Sequence, residues 1–157
     1  MKWTAHTIGR FLAMETFQKK NLVLVPNCNW TGHECDILVL TTNLRIIDVE
    51  IKVSRADLKA DAVKDKWYHY WNYKIDGPWQ PDRQGQRRRE WPQKVWKHYY
   101  VLPRDLWDES LLASIPRASG VLLIWERDGQ MIITAERPAK PNRDAEQVSA
   151  ESAVDIA

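Results

Sequence analysis

The chain has 157 residues, 44% of them hydrophobic and 28% charged, enough for one globular domain with a sizeable core and too apolar for a disordered tail protein. No window approaches the roughly 18 consecutive apolar residues of a membrane helix. Two cysteines and the leaderless start MKWTAHTIGR argue against a secreted disulfide scaffold, so a soluble, cytoplasmic protein is expected.

Ile8, Phe11, Leu12 and Glu15 fall at helical spacing and predict a helix over 4–19, apolar on one face except for the carboxylate at its edge. The run LVLV is closed by Pro26 and Asn27, and CDILVL follows after turn residues. Both read as strands. In RIIDVEIKV, strict alternation places Ile46, Asp48, Glu50 and Lys52 on one side and Ile47, Val49, Ile51 and Val53 on the other. This third strand is expected to pair with the second as a hairpin. Ser54 stands as an N-cap with Asp57 three residues on, which predicts a second helix running to about residue 70. Residues 74–94 hold Gly77, Pro78, Pro81, Gly85 and Pro92 among charges and read as a basic insertion. KHYYVLP is a fourth strand, 104–113 a short helix or bridge, and the Asp128-Gly129 turn joins two last strands. The domain is expected to span 1–136, leaving 137–157, rich in proline and small polar residues, as a flexible tail.

Chemistry concentrates where Asp36 is followed, thirteen residues later, by Glu50-Ile51-Lys52. If the second and third strands are adjacent, Asp36 near the start of one faces Glu50 near the end of the other. Two converging carboxylates, the Ile51 carbonyl and waters suit a hard divalent cation such as Mg²⁺ or Mn²⁺. Lys52, one alternation step beyond Glu50, would orient or activate a water and stabilise charge on a phosphoryl oxygen. Glu15 is a further metal-ligand candidate from the first helix, because a charge on an apolar face needs a partner. It is equally readable as an amphipathic boundary charge.

The element order around this Asp…Glu-x-Lys pattern resembles the PD-(D/E)xK nuclease superfamily. The segments GHECDILVL, DVEIKVSRADLKAD, KWYHY, HYYVLP and IPRASGVLLI look like the MmcB-like DNA repair proteins and their phage-borne relatives, over about 27–135. The resemblance implies a restriction-endonuclease-like α/β core in the order α-β-β-β-α-β, with a mixed central sheet flanked by helices and here a C-terminal hairpin. It implies a metal-dependent nuclease acting on DNA in repair or phage DNA metabolism, with Asp36 and Glu50 as metal ligands and Lys52 as the catalytic lysine. Glu34 flanks the Asp strand as a supporting carboxylate. An extra four residues between Asp61 and Lys66-Trp67 depart from the pattern, and so does Cys35-Asp36 in place of Pro-Asp.

Charge is sorted along the chain although it totals only +2. Arg87, Arg88, Arg89 and Lys94 lie in the basic stretch beside several of the nine tryptophans, and with Lys66 they are the candidate DNA-binding residues. The tryptophans suit base stacking or, more often, core packing. Asp57 and Asp61 read as the polar face of the second helix. Cys28, His33 and Cys35 lack a fourth ligand for a zinc site. The rival to cutting is a nuclease-fold protein that binds DNA, or a repair or host protein, without hydrolysis. A junction resolvase would additionally require a homodimer.

Overall fold

A computed structural model describes residues 2–17, 21–69, 77–78 and 88–157. Most of the expected basic insertion, Arg87 included, lies outside the described residues.

Helix α1 (Ala5–Phe11) starts at Thr4, whose hydroxyl accepts from Thr7 N–H in a reciprocal capping box, and continues as a π-helical turn over Leu12–Thr16. Strands β1 (Asn21–Cys28), β2 (Cys35–Thr41) and β3 (Ile46–Ile51) follow. Helix α2 (Arg55–Asp61) is capped by Ser54 Oγ, which accepts from Asp57 N–H at 3.1 Å. Strand β4 (Lys97–Pro103) leads through two 3₁₀ turns, Arg104–Leu106 and Glu109–Ser114, to the hairpin of β5 (Gly120–Arg127) and β6 (Gln130–Arg137). The hairpin turns on Asp128 and Gly129, both at positive φ, as a two-residue turn matched to strand twist requires. A last helix, α3, spans Ala150–Ile156.

The six strands form one mixed sheet in sequential order, antiparallel except for the parallel pairs β3–β4 and β4–β5. Helices cover both faces. Ile8 and Leu12 pack on Ile37, Val39, Ile47, Val49 and Ile51 on one side. On the other, Leu58 and Trp67 pack with Tyr100 and Leu102, while Val148 and Ile156 pack with Leu38, Leu40 and Ile46.

Two expectations need correction. Helix α2 ends at Asp61, nine residues earlier than its pattern predicts. Its free end is closed by side chain: the Trp67 indole N–H donates to the Asp61 carbonyl at 3.0 Å, satisfying one of the carbonyls a helix end leaves open. A 3₁₀ turn, Asp65–Trp67, then carries Lys66 and Trp67 inward. The segment expected as a flexible tail is instead docked. Asn142 N–H donates to the Trp96 carbonyl and Val148 N–H to that of Leu44, and Val148 and Ile156 are buried. Composition reads such a segment as frayed because its few apolar residues are spaced far apart, yet Ala139, Ala145, Val148 and Ile156 are all buried.

Among the described residues, no helix is long and apolar enough to cross a membrane.

Candidate active site

Strand alternation and pairing assemble the site. The antiparallel register sets Ile37 beside Val49 and Leu38 beside Asp48, so Asp36, one step on, falls opposite Glu50. Ile47, Val49 and Ile51 turn to α1, which directs Asp48, Glu50 and Lys52 to the opposite face. The ladder ends here in a side chain: Asp36 Oδ2 accepts from Ile51 N–H at 2.7 Å. Strand residues present N–H and C=O along the same edge, so the Ile51 carbonyl belongs to the edge on which Asp36 sits.

Glu50 and Lys52 of the expected triad thus share the face turned from α1, with Asp36 at the paired position on β2, but the open, positive cleft that their chemistry predicts is not formed around them. Glu50 is 3% and Lys52 7% exposed. Lys66 Nζ lies 2.7 Å from Glu50 Oε1, and Lys52 Nζ lies 3.2 Å from Oε2. Both ammoniums also reach Asp61, at 3.1 Å from Lys66 and 3.2 Å from Lys52. Asp61 further accepts from the Tyr100 hydroxyl at 2.6 Å and pairs with the exposed Lys64. Asp36, half-buried, opens instead onto a groove of about 440 Å³ shared with His6, Arg10, Asn27 and Ile51.

The electrostatics follow from this enclosure. Burial opposes charge on Lys66, yet Asp48, Glu50 and Asp61 outweigh it and hold its ammonium above the ordinary lysine range. Lys52 is raised in the same way, against burial, by Glu50, Asp61 and Asp36. Asp61 is held well below the usual carboxylate range: burial is overcome by Lys66, the Tyr100 hydroxyl and Lys52. Burial pushes Glu50 up, with Lys66 pulling it back. Asp48 shares the enclosure beside the Cys35 thiol, and burial pushes it up to about 7. Among these buried groups three carboxylates, Asp48, Glu50 and Asp61, face two ammoniums, Lys52 and Lys66.

The other expected residues divide. Glu15 is exposed on the π-helical turn, and the polar α1 side chains beside Asp36 are His6 and Arg10; the helix turns Glu15 away from the sheet. Glu34 is exposed just before β2, and no hydrogen bond or ion pair described here joins it to the triad. Lys66 is 3% exposed and serves the buried network, which corrects its assignment as a DNA contact. Arg88 is exposed, with one guanidinium N–H donated to the Ala62 carbonyl at 2.8 Å, and Arg89 is half-buried. Together with Lys59 and Arg117 they line a second hollow of about 500 Å³ that also holds Glu90. Lys94 is exposed at positive φ, its ammonium 4.5 Å from the centre of the Trp30 ring. Cys28 and Cys35 are free thiols facing each other across β1 and β2.

Sequence reasoning placed Asp48 on the correct face without giving it a role, and it missed Asp61, His98 and Tyr100. The alternation of KHYYVLP was the available signal, since His98 and Tyr100 occupy the same side of β4.

For a hard divalent cation, the donor set of Asp36, Glu50 and the Ile51 carbonyl is chemically apt, being all oxygen. Glu50 would have to exchange at least one ammonium for it.

No family model and no curated protein matches the chain. A solved structure, a protein of unknown function from Silicibacter pomeroyi, is similar to it over 85% of this chain and 68% of that one, with 18% identity and a TM-score of 0.45.

Proposed function

We propose that the chain is a metal-dependent DNA nuclease of the PD-(D/E)xK type, similar to the MmcB-like proteins and serving DNA repair or phage DNA metabolism. One observation carries the reading: Asp36 falls opposite Glu50 at the end of two antiparallel strands, with Lys52 beside Glu50 on the face turned from α1 and Asp36 open to a groove on the α1 side. Buried ion pairs are a poor source of stability compared with apolar packing. A Glu50-Lys52-Lys66-Asp61 network therefore earns a functional interpretation more readily than a structural one. Asp36, Glu50 and the Ile51 carbonyl would hold Mg²⁺ or Mn²⁺, which supplies Lewis-acid polarisation of a phosphodiester and an acidified water. Lys52, fixed by Glu50 and Asp61, would orient the attacking water and offset charge on the phosphoryl oxygens. Arg10 and His6 border the groove where a strand would enter.

A second reading, a nuclease-fold DNA binder that does not cut, is favoured by the full occupation of both Glu50 oxygens by ammoniums. Cleavage of linear, nicked, branched and single-stranded DNA with Mg²⁺ or Mn²⁺ separates the two. Asp36→Asn retains an oxygen to accept the Ile51 N–H, so its stability should stay within about 1 kcal/mol of the wild type, while cleavage falls at least about a hundredfold. If wild type cuts no substrate faster than Lys52→Ala does, the nuclease reading is wrong.

A further inference from the structure

On the sheet face turned away from α1, opposite the groove, three potential metal ligands meet in the interior. Asp48, Glu50 and His98 are each at most 3% exposed, and one donor atom from each lies within 4.8 Å of the others. A cation with bonds of about 2.0–2.2 Å needs donors no more than roughly 4.4 Å apart, and His98 Nε2 already stands 3.9 Å from Asp48 Oδ2. Two atoms here are buried without a hydrogen-bond partner: Asp48 Oδ1 and His98 Nε2. Buried polar atoms are rarely left so. His98 Nδ1 lies 2.8 Å from Ser119 Oγ, and the tautomer donating there leaves Nε2 a bare lone pair. That is the arrangement in which metal-binding histidines are held, with the far nitrogen anchored to a fixed acceptor. The ring is further clamped edge-on by Trp67 and Tyr100, at centroid distances of 4.9 and 4.7 Å.

We propose that Asp48, Glu50 and His98 bind one divalent cation of the Mn²⁺, Fe²⁺, Co²⁺ or Zn²⁺ class, at a site distinct from the Asp36 groove. The imidazole selects this class over Mg²⁺ and Ca²⁺, which take oxygen donors. Lys66 is the member able to yield: its long chain has Asp61 as a second partner at 3.1 Å, so it can leave Glu50 without becoming unpaired. The inference does not depend on nuclease activity.

The test is titration of the full chain, stripped with chelator, with Co²⁺ alone, reading visible absorption and calorimetric stoichiometry. One equivalent with the bands of mixed nitrogen and oxygen coordination should bind, besides any that the groove takes through oxygen alone. That nitrogen-ligated equivalent should be lost in His98→Gln and kept in Asp36→Asn, which separates this site from the one expected in the groove. Should His98→Gln fail to fold, Ser119→Ala takes its place, with an expected weakening of ten- to hundredfold. Absence of Co²⁺ binding in the wild type overturns the proposal. So does binding that survives His98→Gln or Ser119→Ala undiminished, or that disappears in Asp36→Asn.

Discussion

Lys66 Nζ sits 2.7 Å from Glu50 Oε1, and neither side chain is more than 4% exposed. A lysine placed by sequence in a DNA-binding role is thus an internal counter-ion. Removing one member of such a pair leaves the other charge buried and uncompensated, which costs about 3–5 kcal/mol. Lys66→Ala should lose that much stability in urea titration, and Lys66→Met, which restores volume without charge, should lose nearly as much. A loss under about 1 kcal/mol would mean that water reaches Glu50 freely.

Acid sensitivity should trace to Asp61. Its folded-state carboxyl lies below the unfolded value of about 3.9, so below that pH the unfolded chain binds the additional proton. The stabilisation is then complete above the unfolded value and drains away as pH falls through the folded one. Unfolding free energy measured between about pH 6 and pH 2 should drop, and the drop should be shallower in Asp61→Asn. Tyr100→Phe removes the 2.6 Å hydrogen bond to the carboxylate and should cost about 1.5–3 kcal/mol at neutral pH. An Asp61→Asn slope equal to wild type would assign the acid loss to other groups.

Particular residues show what local pattern can and cannot reveal. Asp36, Glu50 and Lys52 were legible because strand alternation has period two, and a hairpin register follows from two adjacent strands. The Asp128-Gly129 hairpin was legible because its turn demands residues that tolerate positive φ. Asp61 was not, since its burial depends on where α2 stops, and that depends on the Trp67 indole reaching back to the Asp61 carbonyl. Helical periodicity carries no information about such a return contact. Lys66 broke the rule that lysines face solvent for the same reason: its carboxylate partners come from β3 and from the end of α2.

The hollow lined by Lys59, Arg88, Arg89 and Arg117 gathers four cations against Glu90. If it tracks a phosphate backbone, each lost contact reduces the slope of log K against log salt by about 0.9 on duplex DNA. Lys59→Glu with Arg117→Glu should weaken binding of unrelated sequences alike and flatten the salt dependence, because phosphate contacts carry no sequence information. Both residues are exposed, so folding should be unaffected. An unchanged slope in anisotropy titrations would remove this hollow from the DNA path.

Gly120, at the start of β5, tests the docking of the C-terminal segment. A Cβ there would stand 2.5 Å from Tyr99 Cδ1 and 2.7 Å from the backbone nitrogen of Ala139. The Tyr99 ring can shift, but the Ala139 nitrogen belongs to a chain pinned by the next residue, whose N–H donates to the Ala118 carbonyl at 2.9 Å. Gly120→Ala must therefore displace the segment after β6 or strain the β4–β5 ladder, at about 1–3 kcal/mol. The first response opens the segment to proteolysis while leaving the sheet intact. Limited digestion of Gly120→Ala should then cut within 138–157 faster than in the wild type, with a core fragment ending near Arg137. Digestion at the wild-type rate together with undiminished stability would show that the contact between Gly120 and Ala139 is looser than its distances state.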